Sequence, residues 1–189
     1  MNTQHVSTAT ATVPHGPTLR RDPAEVLGRS TQEPLIRRLG REHLPAIEAH
    51  LLALQPSDRH CRFHALLGND AIRDYVARID FERMILVGAL DDSGRLVGLA
   101  EAHLDTPNSP LRAEVSVSVS ESHRGQGLGR LLTAVALDAA AARGTRRADF
   151  YYQTGNRSIG RLVRELGAPI ATAPGYASLA LPLTTRVLH

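Results

Sequence analysis

The chain has 189 residues, 42% of them apolar, which is enough for one domain with a buried core plus a tail. All 22 residues in the Lys+Arg count are arginine, so a Walker-type phosphate loop and a lysine Schiff base are both excluded, and a net charge of +3 is too modest to mark a nucleic-acid binder. The single cysteine, Cys61, rules out a disulfide framework within the chain. No apolar run reaches the roughly 18 to 20 residues of a membrane span, and no signal-peptide core interrupts the first 25 residues, so a cytoplasmic protein is expected.

Residues 1–32 are rich in Thr, Ser, Pro and His without periodicity and are expected to form a flexible tail, leaving 33–189 as the domain. Leu35 to Leu39 reads as a first strand. Glu42 to Leu54 follows as a helix with apolar positions at Leu44, Ile47, Leu51 and Leu52. Residues 57–80 stay helical, with a break at Gly68-Asn69-Asp70. Met84 to Leu90 and Leu96 to Leu104 form a hairpin around Asp91-Asp92-Ser93-Gly94. A turn at Thr106 to Pro110 leads to the strand Ala113 to Ser120, which alternates strictly: Ala113, Val115, Val117 and Val119 on one face, Glu114, Ser116, Ser118 and Ser120 on the other.

Gly127 to Arg143 reads as a helix with Leu128, Leu131, Leu132 and Val135 on its apolar stripe, ended by Gly144 in a left-handed cap. Ala148 to Tyr152 is a strand. Asn156 opens a helix carrying Ile159, Leu162, Val163 and Leu166, which Gly167 and Pro169 end, and Ser178 to Leu183 is a last strand. The order predicts an α/β fold, a mixed, largely antiparallel sheet flanked by helices.

The chemistry concentrates in Arg124-Gly125-Gln126-Gly127-Leu128-Gly129. Its glycines permit a tight turn that aims N–H groups at an anion, the following helix N-terminus adds a favourable dipole, and Arg124 adds a charge. Taken alone, six such residues are equally a tight turn. The spacing Arg124-x-x-Gly127-x-Gly129, the glutamate-bearing strand Ala113-Glu114-Val115 before it and the asparagine-led helix Asn156 to Leu166-Gly167 after it together resemble the GNAT family of N-acetyltransferases, over about residues 34–183. The resemblance implies a single GNAT-like domain in which acetyl-CoA, the acyl donor, is held by Val117, Ser118, Val119, Arg124, Gly125, Gln126, Gly127, Leu128, Gly129, Arg130 and Asn156. Arg62-Phe63, the Ala113-Glu114 strand and a last helix without tyrosine resemble most its bacterial protein-lysine acetyltransferase branch.

Direct transfer to an amine requires that the amine lose a proton, so a carboxylate, or a water held by one, must lie near the thioester. Glu114 is the candidate base, with Glu101 on the neighbouring strand as the second choice, and the family's usual oxyanion donor maps to the N–H near Val117. Many members carry a tyrosine that protonates the leaving thiolate, but the matching residue is Val163, which leaves Tyr151, Tyr152, Ser158 or water. The expected partner is an amine acceptor, a protein lysine or a small molecule, with no nucleic acid, no membrane and no metal; a homodimer is left open. The alternative is a non-catalytic acyl-CoA sensor on the same fold.

Other signals weigh less. His60, Cys61 and His64 lack a second cluster to complete a zinc site. His123, just before the loop, is either a phosphate contact or a solvated side chain. A dinucleotide fingerprint fails at its third glycine, where Arg130 or Leu132 stands, although Asp149 follows Gly129 at the spacing of a ribose-binding acid. Arg20-Arg21, Arg37-Arg38 and Arg146-Arg147 are scattered and lack interleaved aromatics.

Overall fold

A computed structural model describes residues 33–106, 111–167 and 169–181. The tail expected at 1–32, the centre of the turn before the glutamate strand and residues 182–189 lie outside the described residues. Seven strands and five helices follow in the order β1 Leu35–Arg38, α1 Leu44–Leu52, α2 Pro56–Phe63, α3 Asn69–Ala77, β2 Met84–Leu90, β3 Leu96–Leu104, β4 Arg112–Val119, α4 Leu128–Ala142, β5 Arg147–Tyr151, α5 Arg157–Glu165, β6 Pro169–Ala173 and β7 Tyr176–Ala180. They build one sheet in the order β1-β2-β3-β4-β5-β7-β6. Every neighbouring pair is antiparallel except β4 and β5, which α4 connects. The α/β fold with a mixed, largely antiparallel sheet is therefore the observed one.

Both faces of the sheet are covered, which explains the near-continuous apolar runs of β2 and β3. On one face α4 packs against β2, β3 and β4 through Leu128, Leu132, Ala136, Leu137 and Ala140. The stripe expected from the sequence is rotated: Leu131 is 53% exposed, and alanines bring the helix close to the strands instead. On the other face α1 and α3 bury Ile47, Leu51, Ile72 and Val76 against Leu86 and Leu99. Gly144, at φ 100°, ends α4 in the expected left-handed cap.

One strand was not expected. Pro169 reads as a helix terminator, yet it also begins β6, the outermost strand, where a residue without N–H is tolerated. Pro174-Gly175, with Gly175 at φ 80°, makes the turn from β6 to β7 and is the signal that reveals this hairpin.

Candidate functional site

The site begins where strand pairing stops. β4 and β5 pair through only three positions, Arg112 with Arg147, Ala113 with Ala148 and Glu114 with Asp149. Beyond them β4 stays bonded to β3 as far as Val119 opposite Gly98, while β5 stays bonded to β7 through Tyr151 opposite Tyr176. The two strands part, and the edge of β4 from Val115 to Val119 faces no strand, so its outward N–H and C=O groups are open to a ligand, except the Val119 carbonyl, which accepts from Arg124 Nε. This explains why Val117 and Val119 are only half-buried although they lie on the core face with Ala113 and Val115. The opening is a cleft of about 650 Å³ walled by β4, by Phe150 to Tyr152, by α2, by the start of α5 and by the glycine loop.

The loop closes the far end of this cleft. Gly125 and Gly127 take φ of 74° and 79°, left-handed values that disfavour a side chain, and a Cβ at either would meet nothing within 4 Å. Conformation rather than crowding demands glycine there. Gly127 caps α4 without any side-chain hydrogen bond, and the first intrahelical bond runs from the Leu131 N–H to its carbonyl at 3.1 Å. The N–H groups of Leu128, Gly129 and Arg130 therefore have no carbonyl within the helix and stand at the positive end of its dipole, an arrangement that suits an anion.

Glu114 is exposed at the foot of the cleft, in register with His103 on β3 and Asp149 on β5. Glu101, two strands from β5, is 2% exposed; it bonds Arg62 Nη2 at 2.5 Å and accepts from the Tyr75 hydroxyl. Burial opposes the Arg62 charge, but Glu101 beside it prevails and raises its pKa, while burial and the same carboxylate raise that of Tyr75. Glu101 is thus the counter-ion of a buried arginine and does not line the cleft; the carboxylates that do are Glu114 at its foot, Asp58, which is bound to Arg124, and Glu165 on α5.

A second polar group reaches the cleft through β4. His50 Nδ1 lies 3.1 Å from the Leu96 carbonyl, which only accepts, so Nδ1 carries the proton. Nε2 is then bare and accepts from the Ser118 hydroxyl at 2.9 Å. With its proton committed to the imidazole, Ser118 presents lone pairs to the cleft. Burial lowers the His50 pKa and keeps the ring neutral.

Residues 47–167, well over half the chain, match the model of the acetyltransferase (GNAT) family. The chain belongs to the GNAT family. Among solved structures it is similar to the GNAT domain of S. lividans PAT, at 17% identity and TM-score 0.63 over 77% of this chain and 89% of that one. It is similar too to a Sinorhizobium meliloti phosphinothricin acetyltransferase in complex with AcCoA, at 19% identity and TM-score 0.59 over 80% and 90% of the two chains. A ribosomal-protein-alanine N-acetyltransferase from Brucella melitensis gives 20% identity and TM-score 0.58 over 78% and 99%. No curated protein sequence matches the chain.

Of the residues expected to hold the donor in this GNAT domain, Val117, Ser118, Val119, Arg124, Gly125, Gly127, Leu128, Gly129, Arg130 and Asn156 all line the cleft. Gln126 does not; its amide turns back 3.4 Å from the Ser122 carbonyl. Arg124 lines the cleft with its guanidinium engaged, bonding the Val119 carbonyl at 3.0 Å and Asp58 at 2.6 Å. Asn156 caps α5, its Oδ1 accepting the Ile159 N–H at 3.2 Å. His123 also lines the cleft.

Sequence reasoning missed the part played by α2, which crosses the opening. Asp58 ties it to Arg124, Arg62 anchors it to Glu101, the Cys61 thiol points to Gln153 Oε1 at 3.9 Å, and His64 Nε2 donates to the Tyr151 carbonyl at 3.2 Å. Cys61 and His64 thus strap α2 to the β5 side. Among the described residues no three His, Cys, Asp or Glu are grouped to hold a metal. Asp149 is saturated by Arg112, Ser178 and Tyr176, so it has no lone pair left for a ribose. These hydrogen bonds outweigh burial and lower its pKa. Val163 is 2% exposed in the core, whereas Tyr151, Tyr152 and Ser158 line the cleft.

Proposed function

We propose that the protein transfers an acetyl group from acetyl-CoA directly to a primary amine. The observation that carries this reading is the parted edge of β4 running into the uncapped start of α4: an extended row of backbone donors and acceptors that ends on converging N–H groups. That pairing suits a ligand with an amide-bearing arm and a pyrophosphate at its end. Acetyl-CoA, when bound, supplies an acetyl group activated as a thioester.

The chain's own residues do the rest. Gly125, Gly127 and the first N–H groups of α4 neutralise the pyrophosphate. The β4 edge pairs with the pantetheine amides, and an N–H near Val117 stabilises the developing oxyanion. Glu114, directly or through a water, takes the proton that the acceptor ammonium must lose before it becomes a nucleophile. Ser118, which offers lone pairs only, orients an incoming N–H group. The buried Val163 supplies no proton to the leaving thiolate, so that proton comes from water or from a hydroxyl among Tyr151, Tyr152 and Ser158.

The acceptor is a protein lysine, as in the branch the sequence resembles most, or a small-molecule amine. Turnover of acetyl-CoA against both classes, read as release of free thiol, tests the reading; tight binding without thiol release assigns the fold to a sensor instead. Glu114→Gln should lower kcat by about 10²- to 10⁴-fold while leaving the Kd for coenzyme A within about twofold. Full activity of that variant across pH would remove Glu114 from the mechanism.

A further inference from the structure

The outer face of α5 carries a charge arrangement that the fold does not explain. Arg157, Arg161 and Arg164 follow one another at intervals of four and three, so all three lie on one side of the helix. Like charges at these spacings destabilise a helix. Arg157 is moreover its first residue, where the dipole is positive and a cation unfavourable, and the first turn holds no acid to offset it. All three are exposed, and none forms an ion pair with an acidic side chain among the described residues, Glu165 on the same helix included.

These arginines face a concavity. Beside the donor cleft lies a hollow of about 470 Å³ between α5 and the β6–β7 turn at Pro174-Gly175. Arg157 and Arg161 line both spaces, and Arg164 lines the hollow alone. Gly160, between them, keeps its floor low: a Cβ there would come no nearer than 3.7 Å, to Arg164 Nη1.

We infer that Arg157, Arg161 and Arg164 form a second anion site, separate from the glycine loop, that takes a phosphomonoester. Three guanidinium groups converging on one open hollow match the several oxygens and double charge of such a group, and a bound dianion relieves the repulsion along α5. Two sources share this chemistry: the 3′-phosphate of the donor proposed above, within reach because Arg157 and Arg161 line both the hollow and the cleft, and a separate phosphate ester. Only the first source rests on the proposed function.

The test measures binding to the full chain by calorimetry for coenzyme A, 3′-dephospho-coenzyme A and adenosine monophosphate, in the wild type, in Arg157→Gln/Arg161→Gln/Arg164→Gln, and in a control that removes three arginines elsewhere, Arg37→Gln/Arg38→Gln/Arg146→Gln. Coenzyme A should bind the wild type about tenfold or more tighter than its dephospho form, and the α5 variant should lose that preference while still binding dephospho-coenzyme A. If the two coenzymes bind alike but adenosine monophosphate binds the wild type and not the α5 variant, the site serves a separate phosphate ester. Equal behaviour of the α5 variant and the control toward all three ligands overturns the inference. Failure of both coenzymes to bind the wild type would instead overturn the donor reading, and adenosine monophosphate would still decide the site.

Discussion

The two edges of β4 show how one strand serves both structure and site. Toward β3 it is paired continuously from Ala113 to Val119; toward β5 the pairing ends at Glu114. The same five residues, 115–119, are therefore held rigidly from one side and left open on the other. A ligand site made this way inherits its precision from the sheet, and needs only an anion-binding turn at its end. Gly127→Trp breaks this arrangement at that turn. The φ of 79° opposes any side chain, by about 1–2 kcal/mol, and the indole enters the space that a Cβ finds empty. Coenzyme A affinity should fall by about a hundredfold or more in calorimetry, with the far-ultraviolet spectrum of the fold retained. Gly129→Ala sharpens the contrast: its Cβ would meet Val119 at 3.6 Å, an ordinary contact, so stability should barely change.

The two faces of the sheet differ as sharply as the two edges of β4. Under α4 the contacts are apolar, whereas the face under α1 to α3 combines an apolar cluster with Glu101, Arg62 and Tyr75 in one buried network. Removing one member strands a charge. Arg62→Met should destabilise the fold by about 3–5 kcal/mol in urea denaturation, because Glu101 keeps its carboxylate in the interior without its counter-ion. The double variant Arg62→Met/Glu101→Gln should recover much of that loss. Equal losses in the single and double variants would show that Arg62 acts by packing alone.

This contrast also marks what was legible in the sequence. The strict alternation from Ala113 to Ser120, the glycine spacing after it and the Asn156 cap were readable because each is a local pattern with a local cause. Glu114 could be placed on the polar face for the same reason. That Glu101 is a counter-ion was not readable, since Arg62 lies far away in sequence and meets it only when α2 packs across β3 and β4. The course of α2 was hidden likewise: Asp58, Cys61 and His64 make their contacts with Arg124, Gln153 and the Tyr151 carbonyl, all distant in the chain. β6 was lost to a local ambiguity, since Pro169 both ends a helix and starts an edge strand.

A pH-dependent effect at His50 is the most selective probe of the open edge. His50 holds Ser118 in place by staying neutral, and its pKa is lowered from 6.5 by burial, against the opposing pull of the Leu96 carbonyl and of Glu101 and with a further push from Arg62. Between 6.5 and the lower folded value the unfolded chain therefore binds more protons than the folded one, so this group's contribution to stability declines as pH falls through that window. Asp149 acts elsewhere: its lowered pKa removes stability only below the ordinary aspartate value of 3.8. In urea denaturation His50→Gln should flatten the decline just below pH 6.5 by at most about 1.4 kcal/mol per pH unit, and leave the acid step of Asp149 intact. An unchanged slope would mean that the imidazole takes up its proton in the folded state as readily as in the unfolded one. Ser118 would then turn its hydroxyl toward the cleft as a donor below pH 6.5, and the edge of β4 would change its polarity with pH.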